Sequence, residues 1–432
     1  MTTTDFHLAG PFAPVHDELT AYDLPVTGAL PPELTGWYLR NGPNPRSDSK
    51  HWFFGDGMVH GVRLEHGRAA WYRNRWVHTD SFDQPNSPIY NPDGTRNLRN
   101  GSANTHIINH AGRTLALVES SLPYELTNDL DTIGAYDFDG ELADSMTAHP
   151  KICPTTGELH FFGYGSLTAP HVSYYRADAA GKLVVKQPID VPGLTMMHDF
   201  ALTASHAVFY DLPVVFDPAT VGNGMPYHWD ESYGARLGVL RRNDPTAGVR
   251  WIEINPCYAF HTLNAHDTAD GRIAVHVIRH DYMWRNGSDR APGQLWRWTL
   301  DPATGTVTEE CLDDRPADFP RIDDRLTGTD VRFGHVTHLV VDGGPSVLRR
   351  HDLHTGASAE HRFTPAQIPG EAVFVPAQDG GGWLLTYVYD RTTDRSDLVV
   401  FDAANVAAAP VATVHLPQRV PIGFHGNWLP EG

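Results

Sequence analysis

Four histidines stand far apart along the chain, each at the edge of a short apolar run: His149 in TAHPKICPTTGEL, His198 in TMMHDFALT, His261 in YAFHTLNAHD and His425 in PIGFHGNWLP. Imidazole is the commonest protein ligand of transition metals. Ligands scattered this widely meet only where a fold gathers several segments at one point. One metal ion held by four imidazoles is the chemistry these residues suggest. The chain carries 25 histidines among 432 residues, and a lone histidine on a strand is usually a satisfied polar side chain. Context has to select the four.

Other chemistries leave less trace. The sequence has no GxSxG elbow, no GxxxxGK[ST] phosphate loop, no complete GxGxxG and no HExxH. Gly55 and Gly57 in WFFGDGMVHG are followed by bulky residues on an expected strand, so they are read as shaping a bulge rather than cradling a phosphate. His198-Asp199 and His266-Asp267 invite a two-histidine, one-carboxylate iron triad. Adjacent residues on a strand face opposite sides, which argues against His198 and Asp199 sharing an ion; a carboxylate from another segment stays open. His106 and His110 in NTHIINH, and His335 and His338 in FGHVTHLV, are read as polar strand residues or as groups standing behind the ligands.

The elements that would position the four histidines are strands. Short alternating or apolar runs such as GRTLALVES, GELHFFGY, GRIAVHVIRHD, SVLRRHDL and GGWLLTYVYD are separated by Gly, Pro, Asp and Asn, and helical periodicity is scarce. Hairpins recur with one grammar, LWRWTLDPATGTVTEE around Gly305 and VLRRHDLHTGASAEHRF around Gly356, where glycine supplies the positive φ of a tight turn. Repeated hairpins predict blades. Radial repetition of small antiparallel sheets creates an axis on which residues from many blades converge. No linker or low-complexity tract divides the chain, so residues 1–432 are expected to form a single domain; the short DAANVAAAPVA segment reads as a surface loop.

Composition narrows the partners. Hydrophobic residues at 41%, charged residues at 20%, 39 Gly and 33 Pro describe a turn-rich globular protein. A formal net charge of −19 argues against a nucleic-acid partner, which needs a basic face. Cys153, Cys257 and Cys311 have no CxxC spacing and point to a reducing compartment. The start MTTTDFHLAGPFAPVHDEL has no signal-peptide pattern, and no stretch approaches the roughly 18 apolar residues of a membrane span. The expected location is the cytoplasm.

Taken in order, WYLRNGPNPR, HWFFGDGMVHGVRL, AHPKICPTTGELHFFGY, MHDFALT, FHTLNAHD, PGEAVFVPA and GFHGNWLP resemble the carotenoid cleavage oxygenase family, which includes apocarotenoid and lignostilbene oxygenases. The likeness runs from about Gly36 to the C-terminus. It implies an all-β, seven-bladed propeller with loops and short helices capping one face. It also implies non-haem Fe(2+) on the axis, bound by His149, His198, His261 and His425. Carboxylates hold three such imidazoles in the family, and by motif they fall on Glu119 in ALVESSLPYEL, Asp318 in ADFPRID and Glu371 in PGEAVFVP. The family usually has Glu where this chain has Asp318, so that hydrogen bond is expected to be strained or bridged by water.

The implied site is physically coherent. Carboxylates accepting the far N–H of each ring fix its tautomer and offset the ion's charge. Four protein ligands on an ion that prefers six leave positions for O2 and substrate, whereas four-coordinate zinc would be closed. The implied reaction is cleavage of a C=C bond of a conjugated apolar substrate by O2 into two carbonyl products, with no catalytic side chain beyond the ligands. Phe53, Phe161, Phe200 and Phe260 are the aromatic residues expected to line an apolar tunnel. Stilbene-cleaving members typically carry a lysine before the position of Glu119, able to take a phenol proton; here it is Val118, which favours a carotenoid or apocarotenoid over a hydroxystilbene. The resemblance leaves room for transient contact with a membrane surface and leaves the oligomeric state open. The reading from another class is a non-catalytic propeller that only binds a partner.

Overall fold

A computed structural model describes residues 6–431 apart from 47, 48, 50, 86, 94, 222, 223 and 379. The strands form seven antiparallel sheets arranged as the blades of a propeller, with one extra two-stranded ribbon. Sheets two to six each use one stretch of chain, the fourth interrupted by the ribbon Val214–Phe216 and Tyr227–Trp229. They begin at His106–His110, Lys151–Ile152, Phe200–Leu202, Tyr258–Asp267 and Asp318–Arg321. The first and seventh blades draw on both ends. Gly426–Pro430 pairs with Gly36–Pro43 in the first, and Val26–Gly28 pairs with Ala412–His415 in the seventh. The ring therefore closes by hydrogen bonds between termini. Among the described residues the helical structure is limited to short 3-10 turns and one four-residue α-helix, Asp80–Asp83.

The strand signals translate directly. Ile273–His280 is buried at every position because neighbouring blades cover both faces, and the outer strand Leu183–Ile189 alternates between exposed and half-buried residues before ending buried at Ile189. Gly305 and Gly356 both sit at φ 75° in their hairpin turns. In each turn the preceding aspartate accepts two backbone N–H bonds, Asp301 from Ala303 and Thr304, Asp352 from His354 and Thr355. Gly55 and Gly57 correct an expectation. No register shift occurs at Gly57, which pairs in sequence with Pro43. A Cβ there would stand 2.5 Å from the Ala103 carbonyl oxygen, so the glycine permits close backbone approach between two blades rather than a bulge.

The core lies between the blades. One continuous cluster joins the third, fourth and fifth through Phe162, Phe209, Tyr258 and Trp298. Another joins the first and seventh through Tyr38, Tyr72, Leu385 and Leu398. Within the ring, the first strands of the fourth, fifth and sixth blades lie in succession, and Gly426–Pro430 lies beside His106–His110. These inner strands surround the axis.

Candidate metal centre

The histidines arrive at the axis from four blades. His149, His198 and His425 each lie one or two residues ahead of an innermost strand, and His261 lies within Tyr258–Asp267 where the register shifts on both sides of it. Irregular pairing of this kind re-aims a side chain out of the strand's alternation. The result is a buried cluster in which one donor atom from each of His149, His198, His261 and His425 lies within 4.8 Å of the others. Ring centroids of His149 stand 4.5 Å from those of His198 and His425 and 5.2 Å from that of His261.

Three carboxylates take the outer nitrogens. Nδ1 of His198 donates to Glu119 at 2.5 Å, Nδ1 of His261 to Asp318 at 2.6 Å, and Nδ1 of His425 to Glu371 at 3.0 Å. Glu119 follows the second strand of blade two, Asp318 opens blade six, and Glu371 lies between the two inner segments of blade seven. Every blade thus gives the centre one residue. A proton fixed on Nδ1 leaves the Nε2 lone pair free. Nε2 of His149 and Nε2 of His198 are only 2.9 Å apart, and two lone pairs at that distance repel unless a proton or a cation lies between them. This donor set fits a divalent transition metal.

Electrostatics match. Burial alone would raise the Glu371 carboxyl, but Arg321 and His425 hold it down to about 2. Asp318 is likewise held far below the usual carboxylate range against its burial, by His261 and Arg290. His149 has no carboxylate partner; burial first, then the other three imidazoles, push it well below the ordinary histidine value. It is held as a neutral donor.

Further residues brace the candidate ligands. Asp199 does not face the centre: its carboxylate accepts the backbone N–H of Phe200 and of Thr262 and pairs with Lys151 at 2.8 Å. It ties together the segments that carry His149, His198 and His261. Thr147 does the same for two of them, accepting from the His149 N–H and donating to the His198 carbonyl. Asn41 accepts no metal role but fixes the last blade junction, donating to the Ala103 and His106 carbonyls while its N–H bonds the His425 carbonyl. These brace residues have no sequence motif; the only signal was that Asp199 follows a candidate ligand. His106, read as a polar strand residue or a group behind the ligands, stands close: its ring is 5.3 Å from His425 and 5.9 Å from His149, with Nδ1 bonded to the Ala148 carbonyl. It belongs to the wall of the centre.

The aromatic candidates divide. Phe260 meets His198 edge-on at 4.9 Å, and Phe53 packs near Phe260, Trp284 and Phe424. Phe161 and Phe200 lie elsewhere. Phe161 is stacked between Phe138 and Tyr175, and Phe200 is stacked on Phe209, both fully buried in blade cores. Strand alternation sends them between sheets. Val118 is buried beside Glu119. Phe319, which sequence reasoning missed, stacks on His261 at 5.5 Å with a left-handed φ of 49°.

Comparison with known proteins follows the same lines. The family profile described as retinal pigment epithelial membrane protein matches residues 12–430. The carotenoid cleavage oxygenase of Mycobacterium tuberculosis is 41% identical over 98% of this chain and 97% of its own. The carotenoid 9,10(9′,10′)-cleavage dioxygenase 1 of Arabidopsis thaliana is 34% identical over 98% of this chain and 90% of its own. Among solved structures, the lignostilbene dioxygenase of Pseudomonas brassicacearum superposes with a TM-score of 0.89 at 28% identity, covering 98% of both chains. The cobalt-substituted Synechocystis enzyme abbreviated ACO gives 0.85 at 27% identity over 97% of both chains. With its seven blades, its axial histidines and these relatives across nearly its whole length, the chain belongs to the carotenoid cleavage oxygenase family.

Proposed function

We propose that this protein is an Fe(2+)-dependent dioxygenase that cleaves a C=C bond of a carotenoid or apocarotenoid with O2, giving two carbonyl products. The observation that carries the reading is the convergence of four buried imidazoles, three of them oriented by carboxylates, beside a cluster of aromatic rings. His149, His198, His261 and His425 would hold the ion, and Glu119, Asp318 and Glu371 would set their tautomers. Bound iron supplies activation of dioxygen. The chain's own residues exclude water and orient the substrate: Phe53 and Phe260 offer ring faces and edges that suit a flat conjugated hydrocarbon.

Val118 supports the carotenoid reading, because an aliphatic side chain cannot take the proton of a phenol. The close superposition on a lignostilbene dioxygenase favours hydroxystilbene cleavage as the second reading. Incubation of iron-loaded protein with an apocarotenal and with resveratrol, followed by mass spectrometry of the aldehydes, separates them. Cleavage of resveratrol alone overturns the first. Metal analysis and oxygen uptake test the remaining view of a propeller that only binds; neither metal nor uptake would favour it. Among the described residues no helix is long and apolar enough to cross a membrane, and the described cysteines are unpaired, which supports a reducing compartment such as the cytoplasm.

A further inference from the structure

A cavity of about 600 Å3 reaches the centre along the propeller axis. At one end its wall includes the buried rings of His149, His261 and His425; at the other lie exposed Asp324, Arg325 and Ile152 and the partly exposed Thr327. The inner strands explain this. On Tyr258–Asp267, Tyr258 and Phe260 precede His261 and pack among aromatic rings, whereas Thr262, Leu263, Asn264 and Ala265 follow it and border the cavity. The chain around His425 repeats the pattern, with Phe424 on the aromatic side and Asn427 on the cavity. None of Phe53, Phe260, Trp284 and Phe424 borders the cavity. The centre therefore has two sides of opposite character, a packed aromatic side and an open, surface-connected one whose wall mixes charged and apolar groups.

We propose that the metal ion enters and leaves the four-histidine centre through this axial cavity, as a hydrated divalent cation passing from the Asp324 end. The inference rests on the metal-binding reading above. Moving a divalent ion through packed aromatic rings means stripping its water with nothing in exchange, a cost of many kcal/mol. Along the axial wall Asp324 stands at the mouth, Asp199 deeper and Glu371 beside His425, each already hydrogen-bonded or ion-paired, so a hydrated ion passes beside them with its water kept. Its cations do not oppose passage. Lys151 is paired with Asp199 at 2.8 Å, Arg321 with Asp324 at 2.9 Å and Glu371 at 3.4 Å, and Arg325 with Asp323 at 2.7 Å.

The test is the rate of metal exchange, read without turnover. Metal-free protein is mixed with Co(2+), uptake is followed by the visible absorption of the cobalt site, and release is followed with a chelator. Thr327→Trp and Ile152→Trp narrow the cavity from different walls at positions with room to tolerate a ring. Each should slow uptake and release by about tenfold, the effect of some 1.4 kcal/mol of added barrier, while the final stoichiometry stays at wild type. Phe53→Ala, which loosens the aromatic side, should leave both rates within about twofold. Wild-type rates in both tryptophan variants, or acceleration by Phe53→Ala, overturn the route while leaving the metal site intact. Absence of any cobalt binding by the wild type overturns the metal reading itself, and the route with it.

Discussion

The carboxylate of Asp318 bonds Nδ1 of His261 directly, at 2.6 Å, although it is a methylene shorter than its counterparts Glu119 and Glu371. The backbone supplies the missing reach. Blade six breaks register between Asp318 and Arg321, and Phe319 takes a left-handed φ of 49° that a bulky residue rarely adopts. The expected water bridge is unnecessary. Asp318→Asn should weaken cobalt or iron binding by about 10–100-fold, the usual effect of losing a partner behind a ligand. Equilibrium metal titration checks this, and unchanged affinity would show that Asp318 only packs.

His261→Ala removes one of the four candidate ligands outright. The variant should fold, since the ring faces the axis and not a blade core, yet lose stoichiometric metal and with it activity. Metal content after dialysis is the measurement; retained metal with full turnover means the ligand set is wrong.

Phe260 and Phe161 should part company. Phe260→Ala removes the ring edge-on to His198 and is expected to lower kcat/KM for an apolar conjugated substrate by about tenfold with little change in metal affinity. Phe161→Ala opens a cavity among Phe138 and Tyr175 and should cost about 3–5 kcal/mol of stability, seen as a lower urea midpoint, with substrate preference unchanged.

Acid should destabilise the metal-free protein well before its carboxylates titrate. Burial, reinforced by nearby arginines, pushes His160 down to about 2; burial pushes His276 down to about 3 and His335 to about 4. Unfolded, each would titrate near 6.5, so below that pH the unfolded chain binds protons that the fold refuses. Their contribution is present in full above about pH 6.5 and is lost as the pH falls towards the folded values, at about 1.4 kcal/mol per pH unit for each histidine. Urea midpoints at pH 7.5, 6 and 5 should fall in that order. A flat profile would mean that these rings are protonated in the fold.

Much of this architecture was legible in residue patterns, and the reasons differ by element. The Thr-Gly hairpins around Gly305 and Gly356 are local, so sequence specifies them. The axial histidines were selected by motif, because their meeting depends on contacts among segments up to hundreds of residues apart. Asp199 illustrates what stays hidden: alternation argues against its sharing an ion with His198, but its bond to the Thr262 N–H joins two blades and leaves no periodic trace. Phe161 and Phe200 show the converse. An aromatic residue near a motif looks the same whether it faces the axis or the space between sheets, and only the pleat of a particular strand decides.

The pairing of Gly426–Pro430 with Gly36–Pro43 has a consequence in time. His425 stands immediately before that final strand, so during synthesis the chain emerges with His149, His198 and His261 long before the fourth imidazole exists. Until His425 and Gly426–Pro430 emerge, the nascent chain holds at most three of the four histidines, in a ring that is not yet joined. The four-histidine cluster can assemble only once Gly426–Pro430 has paired with Gly36–Pro43, so removing this strand is expected to be as damaging as losing one of the histidines.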